Sequence, residues 1–217
     1  MKTLVIGLDS AVPELLLRDE RLTNFRRLME GGCYGELETI IPPITVPAWM
    51  CMATSQDPGS LGVYGFRNRT DHSYNNLGIV NSKAIQEIAI WDQVAREGKR
   101  STIIGVPPSY PPRKVNGVCI GCFMTPDTNK DHYTQPPQIK EEIAKLVGEY
   151  PVDVKGFRTE NKGWLKDEIY DVESQALRSG AAHVAVHRLG LLPVRRDRPR
   201  PIAARILEVP RSPTRAA

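Results

Sequence analysis

The sequence predicts an α/β fold with a mainly parallel sheet flanked by helices. Two observations carry this reading. Thr3–Leu8, Ser101–Val106 and Val115–Met124 are short, largely apolar runs, the pattern of strands covered on both faces. Segments with helical spacing alternate with them, and parallel strands need such crossovers because a tight hairpin joins only antiparallel neighbours.

Taken in order, Thr3–Leu8 ends at the polar Asp9. Pro13 suits the first turn of a short helix, where its missing N–H removes no helical bond. Leu22–Met29 is helical and is stopped by Gly31-Gly32. Residues 33–40 alternate loosely and predict a short strand, and Ile41-Pro-Pro-Ile44 is a rigid connector. Thr45 then precedes a compact apolar helix over Val46–Met52, with Pro47 in its first turn. Gln56–Gly65 is turn-rich. Lys83–Glu97 has helical periodicity through Ile85, Ile88, Ile90, Trp91 and Val94, and stops at Gly98. Pro107–Pro112 holds four prolines and is a loop. Pro136–Val147 is a helix begun by prolines, and Gly163–Gln175 is another.

Hydrophobic residues make up 41% and charged residues 25% of the 217. That is the balance of a soluble globular protein, with length for one domain or a domain plus an insert. No apolar run approaches the roughly 20 residues of a membrane span. The N-terminus turns acidic too soon for a signal peptide, so a cytoplasmic location is expected. The formal net charge of +4 is unevenly placed: Ala176–Ala217 carries nine arginines, no lysine and two acids, a net of +7. The first 175 residues hold 20 basic and 23 acidic residues, a net of −3. The body is therefore mildly acidic. The tail lacks both lysine and the aromatics on which single-strand binders stack bases, so neither a specific nucleic-acid partner nor a membrane is expected.

Cys33, Cys51, Cys119 and Cys122 read as free thiols in a reducing compartment. Cys119-Ile-Gly-Cys122 has the spacing of a redox pair or half a zinc site. It lies in an apolar strand-like run without a second such pair, and two packed thiols are the expectation.

Two residues carry candidate chemistry. Asp9 sits at the carboxyl end of a predicted strand, where the active sites of open α/β sheets lie, and a hard carboxylate there suits a divalent cation. The same position also suits a turn or cap residue. Thr45 lies just before a helix whose N-terminus offers N–H donors to a phosphate. It equally suits an ordinary N-cap, worth about 1 kcal/mol. A threonine hydroxyl becomes a nucleophile only beside a base or a metal, so the two residues strengthen one another.

Ile6-Gly-Leu-Asp9-Ser-Ala-Val-Pro-Glu-Leu15 resembles the opening strand motif of alkaline phosphatase-like phosphodiesterases and nucleotide pyrophosphatases. Pro42-Pro-Ile-Thr45-Val-Pro-Ala-Trp49 resembles their nucleophile motif, and Asp57-Pro-Gly-Ser-Leu-Gly-Val-Tyr-Gly-Phe66 the segment that follows it. Ile90-Trp-Asp92, Glu97-Gly-Lys-Arg100, Val106-Pro-Pro-Ser-Tyr-Pro-Pro112 and Asn116-Gly117 fit the phosphohydrolase/phosphomutase branch of that superfamily. The resemblance runs through residues 1–175. It implies the N-terminal part of an alkaline phosphatase-like catalytic domain, with Thr45 as nucleophile and both Asp9 and Thr45 as ligands to one or both of two divalent ions, zinc or else manganese or magnesium. It implies a phosphate-ester substrate, a mono- or diester. Two positions depart from the pattern: Leu61 stands where many relatives have histidine, and Ala48 where nucleotide pyrophosphatases have a phosphate-contacting asparagine.

The remaining metal ligands of such a site are expected downstream. His72, His132, His183 and His187 fall in no matching motif, and the i, i+4 spacing of His183 and His187 lacks a third ligand. The 176–217 tail, rich in Arg, Pro and Ala, is expected to be disordered and to come from a shifted reading frame. Read one nucleotide forward from Ala176, its permitted residues include an Asp-Arg-x-x-His pattern that resembles the family's next segment. On this reading the chain is weakly active or inactive. The rivals are a phosphomutase of the same fold and a non-catalytic anion-binding fragment. A sulfatase is set aside because Thr45 cannot become formylglycine.

Overall fold

A computed structural model describes residues 2–130, 132–154 and 156–186, without the side chains of 177 and 179–186. Two compact units emerge, one holding the N-terminal residues through Glu38 and the other Thr39–Val184.

The N-terminal unit carries two helices, α1 (Pro13–Leu17) and α2 (Thr23–Gly31). Pro13 begins α1 as its sequence predicts. Gly32 follows α2 where a side chain would come 3.0 Å from the Leu28 carbonyl, so the chain turns away most readily with glycine. Between the helices Arg21 forks onto Asp19, Nη2 to Oδ2 at 2.6 Å, and these hydrogen bonds hold the Asp19 carboxyl down at about 2. The predicted strand Thr3–Leu8 is a correction. The segment pairs with no strand among the described residues, and Leu4, Val5 and Ile6 are 55%, 74% and 48% exposed. A strand is held by its neighbours' backbone groups, and without a ladder an apolar run stays uncovered. Residues 33–40 are likewise irregular.

The second unit opens with α3 (Thr45–Thr54), which buries Val46, Pro47, Met50, Cys51 and Ala53. It ends where Thr54 Oγ1 donates to the Met50 carbonyl at 2.7 Å and Ser55 turns left-handed at φ 57°. The short α4 (Pro58–Leu61) follows, capped by Asp57, whose Oδ1 accepts from the Ser60 N–H at 2.9 Å. Strands β1 (Arg67–Arg69) and β2 (Leu77–Ile79) form an antiparallel hairpin with Arg67 opposite Ile79 and Arg69 opposite Leu77.

The predicted helix over Lys83–Glu97 is in fact two pieces: a 3-10 turn at Ser82–Ala84 and α5 (Ile90–Arg96). The break has a cause. Ile85 adopts an extended backbone, is buried, and gives its carbonyl to Arg113 Nη1 at 3.2 Å. Tertiary contacts thus override the local periodicity.

The main sheet has the order β3 (Ser101–Ile104), β4 (Gly117–Ile120), β5 (Thr134–Gln135). The β3–β4 pair is parallel and β4–β5 antiparallel. Its register is fixed at one point. Gly117, at φ 142°, lies where a Cβ would meet the Ser101 carbonyl oxygen at 2.0 Å, so no other residue fits. From that start, alternation places Val118 and Ile120 in a cluster with Tyr133, Ile139, Ile143 and Tyr150. α6 (Ile139–Val147) covers this face, with Glu141 and Glu142 in its first turn and Lys145 in its last, the arrangement its dipole favours. A separate cluster gathers Val46, Met50, Val63, Val80, Ile85 and Ala89.

α7 (Lys162–Val186) runs through Gln175. Residues 176–186, expected to be disordered, are therefore helical, as their alanines favour; the rest of the predicted tail lies outside the described residues. Among the described residues no helix is long and apolar enough to cross a membrane.

These burials set a stability contrast. Ile120→Ala, at a fully buried site, should cost about 2–5 kcal/mol. Leu4→Ala should stay within about 0.5 kcal/mol. Urea denaturation midpoints check both, and a Leu4→Ala cost in the core range would mean that Thr3–Leu8 is buried in solution.

Candidate functional site

Thr45 is the first helical residue of α3 and not its cap. Ile44, in extended conformation, holds the cap position and offers no side-chain acceptor. The Ile44 carbonyl accepts the Ala48 N–H at 3.0 Å, and Pro47 has no N–H, so the donors at this end are those of Thr45 and Val46. Thr45 is half-buried, while Val46 and Pro47 beside it are buried. Thr45 thus stands at the rim of a helix whose next residues are locked in the core. Gly65 closes the same end: a Cβ there would sit 3.8 Å from Ile44 Cδ1. Phe66 follows and meets Phe123 edge-on, with ring centroids 6.1 Å apart.

Asp9 is exposed, in a turn shared with Ser10, which is left-handed at φ 54°. It belongs to the N-terminal unit and Thr45 to the other. Its expected place at a strand end is not realised, because the strand itself is not formed.

Among the described residues no three His, Cys, Asp or Glu side chains gather closely enough to hold a metal ion. Asp9 and Thr45 are oxygen donors of the right hardness for a divalent ion. Two donors are fewer than a two-metal site needs, so the described residues do not supply its donor set. His72 and His132 are exposed and join no such cluster. The side chain of His183 and the whole of His187 lie outside the described residues.

The two departures from the family pattern have different settings. Leu61 is buried in the cluster around Val46 and Met50, where an imidazole would have to be desolvated. Ala48 is half-buried in the first turns of α3.

The cysteine pair is structural. Strand alternation sends Val118 and Ile120 to one face, and Cys119 to the other, where it lines a small cavity with Met50, Ile85 and Arg113. That cavity, about 20 Å³, has room for one water and not for a substrate. Burial pushes the Cys119 thiol up to about 11 and also raises that of Cys51. Tyr133 and Tyr150 stack with centroids 5.3 Å apart, and burial lifts both hydroxyls to about 12. None of these groups is poised as a nucleophile at neutral pH.

Sequence reading missed the hairpin that follows Gly65. Arg67 and Arg69 share its exposed face, and Arg69 lies over the Tyr74 ring at 4.8 Å. The signal was present as two arginines at strand spacing, with Leu77 and Ile79 repeating that spacing beyond a polar turn.

A family model described as type I phosphodiesterase / nucleotide pyrophosphatase matches residues 3–200, most of the chain. Neither a curated protein nor a solved structure gives a match.

The thiols give a direct check. Cys33 is exposed, and Cys51, Cys119 and Cys122 are buried. At pH 8 a disulfide reagent such as Ellman's should titrate one thiol in the folded protein and all four in denaturant. Rapid reaction of Cys119 in the native state would contradict its burial.

Proposed function

Because the chain belongs to the type I phosphodiesterase / nucleotide pyrophosphatase family, we propose that it carries the nucleophile end of a phosphoric ester hydrolase, with Thr45 as the attacking group. The observation that supports this reading is the half-buried Thr45 at the start of a core-anchored helix, within the family match. In the proposed reaction Thr45 Oγ attacks phosphorus, the ester oxygen leaves as an alcohol after taking up a proton, and a phosphothreonine remains. Water then attacks that phosphorus and restores the hydroxyl, releasing phosphate from a monoester or a monoester from a diester. The substrate is a small phosphate ester.

An unassisted threonine hydroxyl is a weak nucleophile. The family's two divalent ions would supply that assistance, and the described residues do not assemble their donors. Low turnover is therefore part of the proposal. The frame-shifted origin of residues 176–217 belongs to it as well, since the alternative frame permits the Asp-Arg-x-x-His pattern. A non-catalytic anion-binding fragment is the second reading, favoured by the same missing donors. A phosphomutase would share the first step and return the phosphoryl group to its substrate.

The test compares two proteins: the chain as it stands, and one expressed from the gene shifted by one nucleotide after the Gln175 codon. With zinc or manganese present, hydrolysis of bis(p-nitrophenyl) phosphate by the first should stay near background. The second should be active, acquire phosphate on Thr45 in acid-quenched mass spectra, and fall to background as Thr45→Ala. An inactive shifted protein, or an active Thr45→Ala variant, would overturn the proposal.

A further inference from the structure

We propose that the exposed face of the β1–β2 hairpin is an anion-recognition surface, and that Arg67 and Arg69 there select phosphate esters bearing a second anionic group. This rests on the reading of Thr45 as the attacking group, and it adds a substrate class to that reading. Four observations carry it.

The first is position. Gly65 packs against Ile44, the residue just before Thr45. Arg67 follows two residues later, beyond a bend at Gly65 and Phe66 and so at most about 7 Å away. The hairpin therefore springs from the side of the Thr45 end of α3.

The second is alignment. Arg67 and Arg69 are exposed while Asn68 between them is half-buried, so both cations stand on one face, about 7 Å apart along the strand. Asn68 faces inward, where its amide donates to the Gly62 carbonyl and holds the strand against the turn after α4.

The third is the absence of a counter-charge. Neither arginine is ion-paired among the described residues. Asp71, the nearest acid in sequence, gives its oxygens to the Ser73 N–H at 2.7 Å and the Asn76 amide at 2.5 Å. Two unneutralised guanidinium groups side by side repel one another, and a multiply charged anion relieves this where a singly charged one does so only in part.

The fourth is preorganisation. Arg69 lies 4.8 Å from the centroid of the Tyr74 ring, itself 84% exposed. The ring restricts the guanidinium and leaves its N–H edge available for a bidentate phosphate contact.

Binding of inorganic tripolyphosphate and of inorganic phosphate, measured by calorimetry in metal-free, low-salt buffer, tests this without requiring turnover. The full chain should bind tripolyphosphate at least about tenfold more tightly than phosphate. Arg67→Ala and Arg69→Ala should each weaken tripolyphosphate about tenfold, the loss typical of one charge-assisted contact. The double variant should bind it no better than phosphate. Tyr74→Ala should have a smaller effect, about threefold. This binding needs no nucleophile, so its failure bears on the hairpin assignment alone, whereas hydrolysis by the frame-shifted protein and its Thr45→Ala variant bears on the nucleophile assignment. Both arginines are exposed, so the variants should keep the wild-type thermal midpoint.

The arginines of residues 176–217 are an internal control, because the double variant retains them all. Undiminished binding in Arg67→Ala/Arg69→Ala would assign the affinity to that segment and overturn the proposal. Equal affinity of the wild-type chain for tripolyphosphate and phosphate would overturn it too.

Discussion

The contact between Gly117 and the Ser101 carbonyl governs much of the second unit. A side chain there would stand 2.0 Å from backbone oxygen, so the approach requires glycine and admits only one register for β3 and β4. A slip of one residue would exchange the faces of the strand. Val118 and Ile120 would then leave the cluster with Tyr133 and Tyr150, and Cys119 would enter it. The face taken by Cys119 follows from the same register. A spacing that reads as a ligand pair in one dimension becomes two buried thiols, and burial suppresses the thiolate at Cys119.

What the sequence conveyed well was local and self-contained. Pro13 and Pro47 marked first turns, Gly98 marked a stop, and two apolar runs became β3 and β4 with ends trimmed by a few residues. Such signals depend on backbone sterics that each residue carries with it. The errors arose where structure depends on remote partners. Lys83–Glu97 has helical periodicity, yet Ile85 is pulled out of the helix by the core and by Arg113. Thr3–Leu8 has the composition of a buried strand, but composition does not supply a neighbouring strand. Thr45 was legible as a helix start, and its displacement by one place from the cap was not, because Ile44 is an unusual residue for that position.

Charge divides the chain in a way that net charge conceals. The body is mildly acidic, and Arg67 and Arg69 stand together on one hairpin face with no ion-pair partner among the described residues. Some other arginines have partners: Arg21 has Asp19, Arg26 has Glu20 and Arg113 has the Ile85 carbonyl. In a negative body an unneutralised pair of arginines is a local reversal of potential. Such reversals steer anions to a particular patch rather than to the whole surface.

The exposed N-terminal run and the placement of Asp9 in a turn share one cause. A metal-binding carboxylate at the end of a strand is positioned by the sheet, since its backbone direction is fixed by the ladder on either side. Among the described residues Thr3–Leu8 has no ladder, so Asp9 sits in a turn at the end of an unpaired segment. Thr45 differs because its placement is internal to its unit: Val46, Pro47 and Met50 bury the helix that presents it. One candidate residue is thus held by local packing, and the other would need long-range pairing to be held at all. On the proposed reading the chemistry requires both, and formation of a sheet around Thr3–Leu8 would then bear on catalysis as well as on stability.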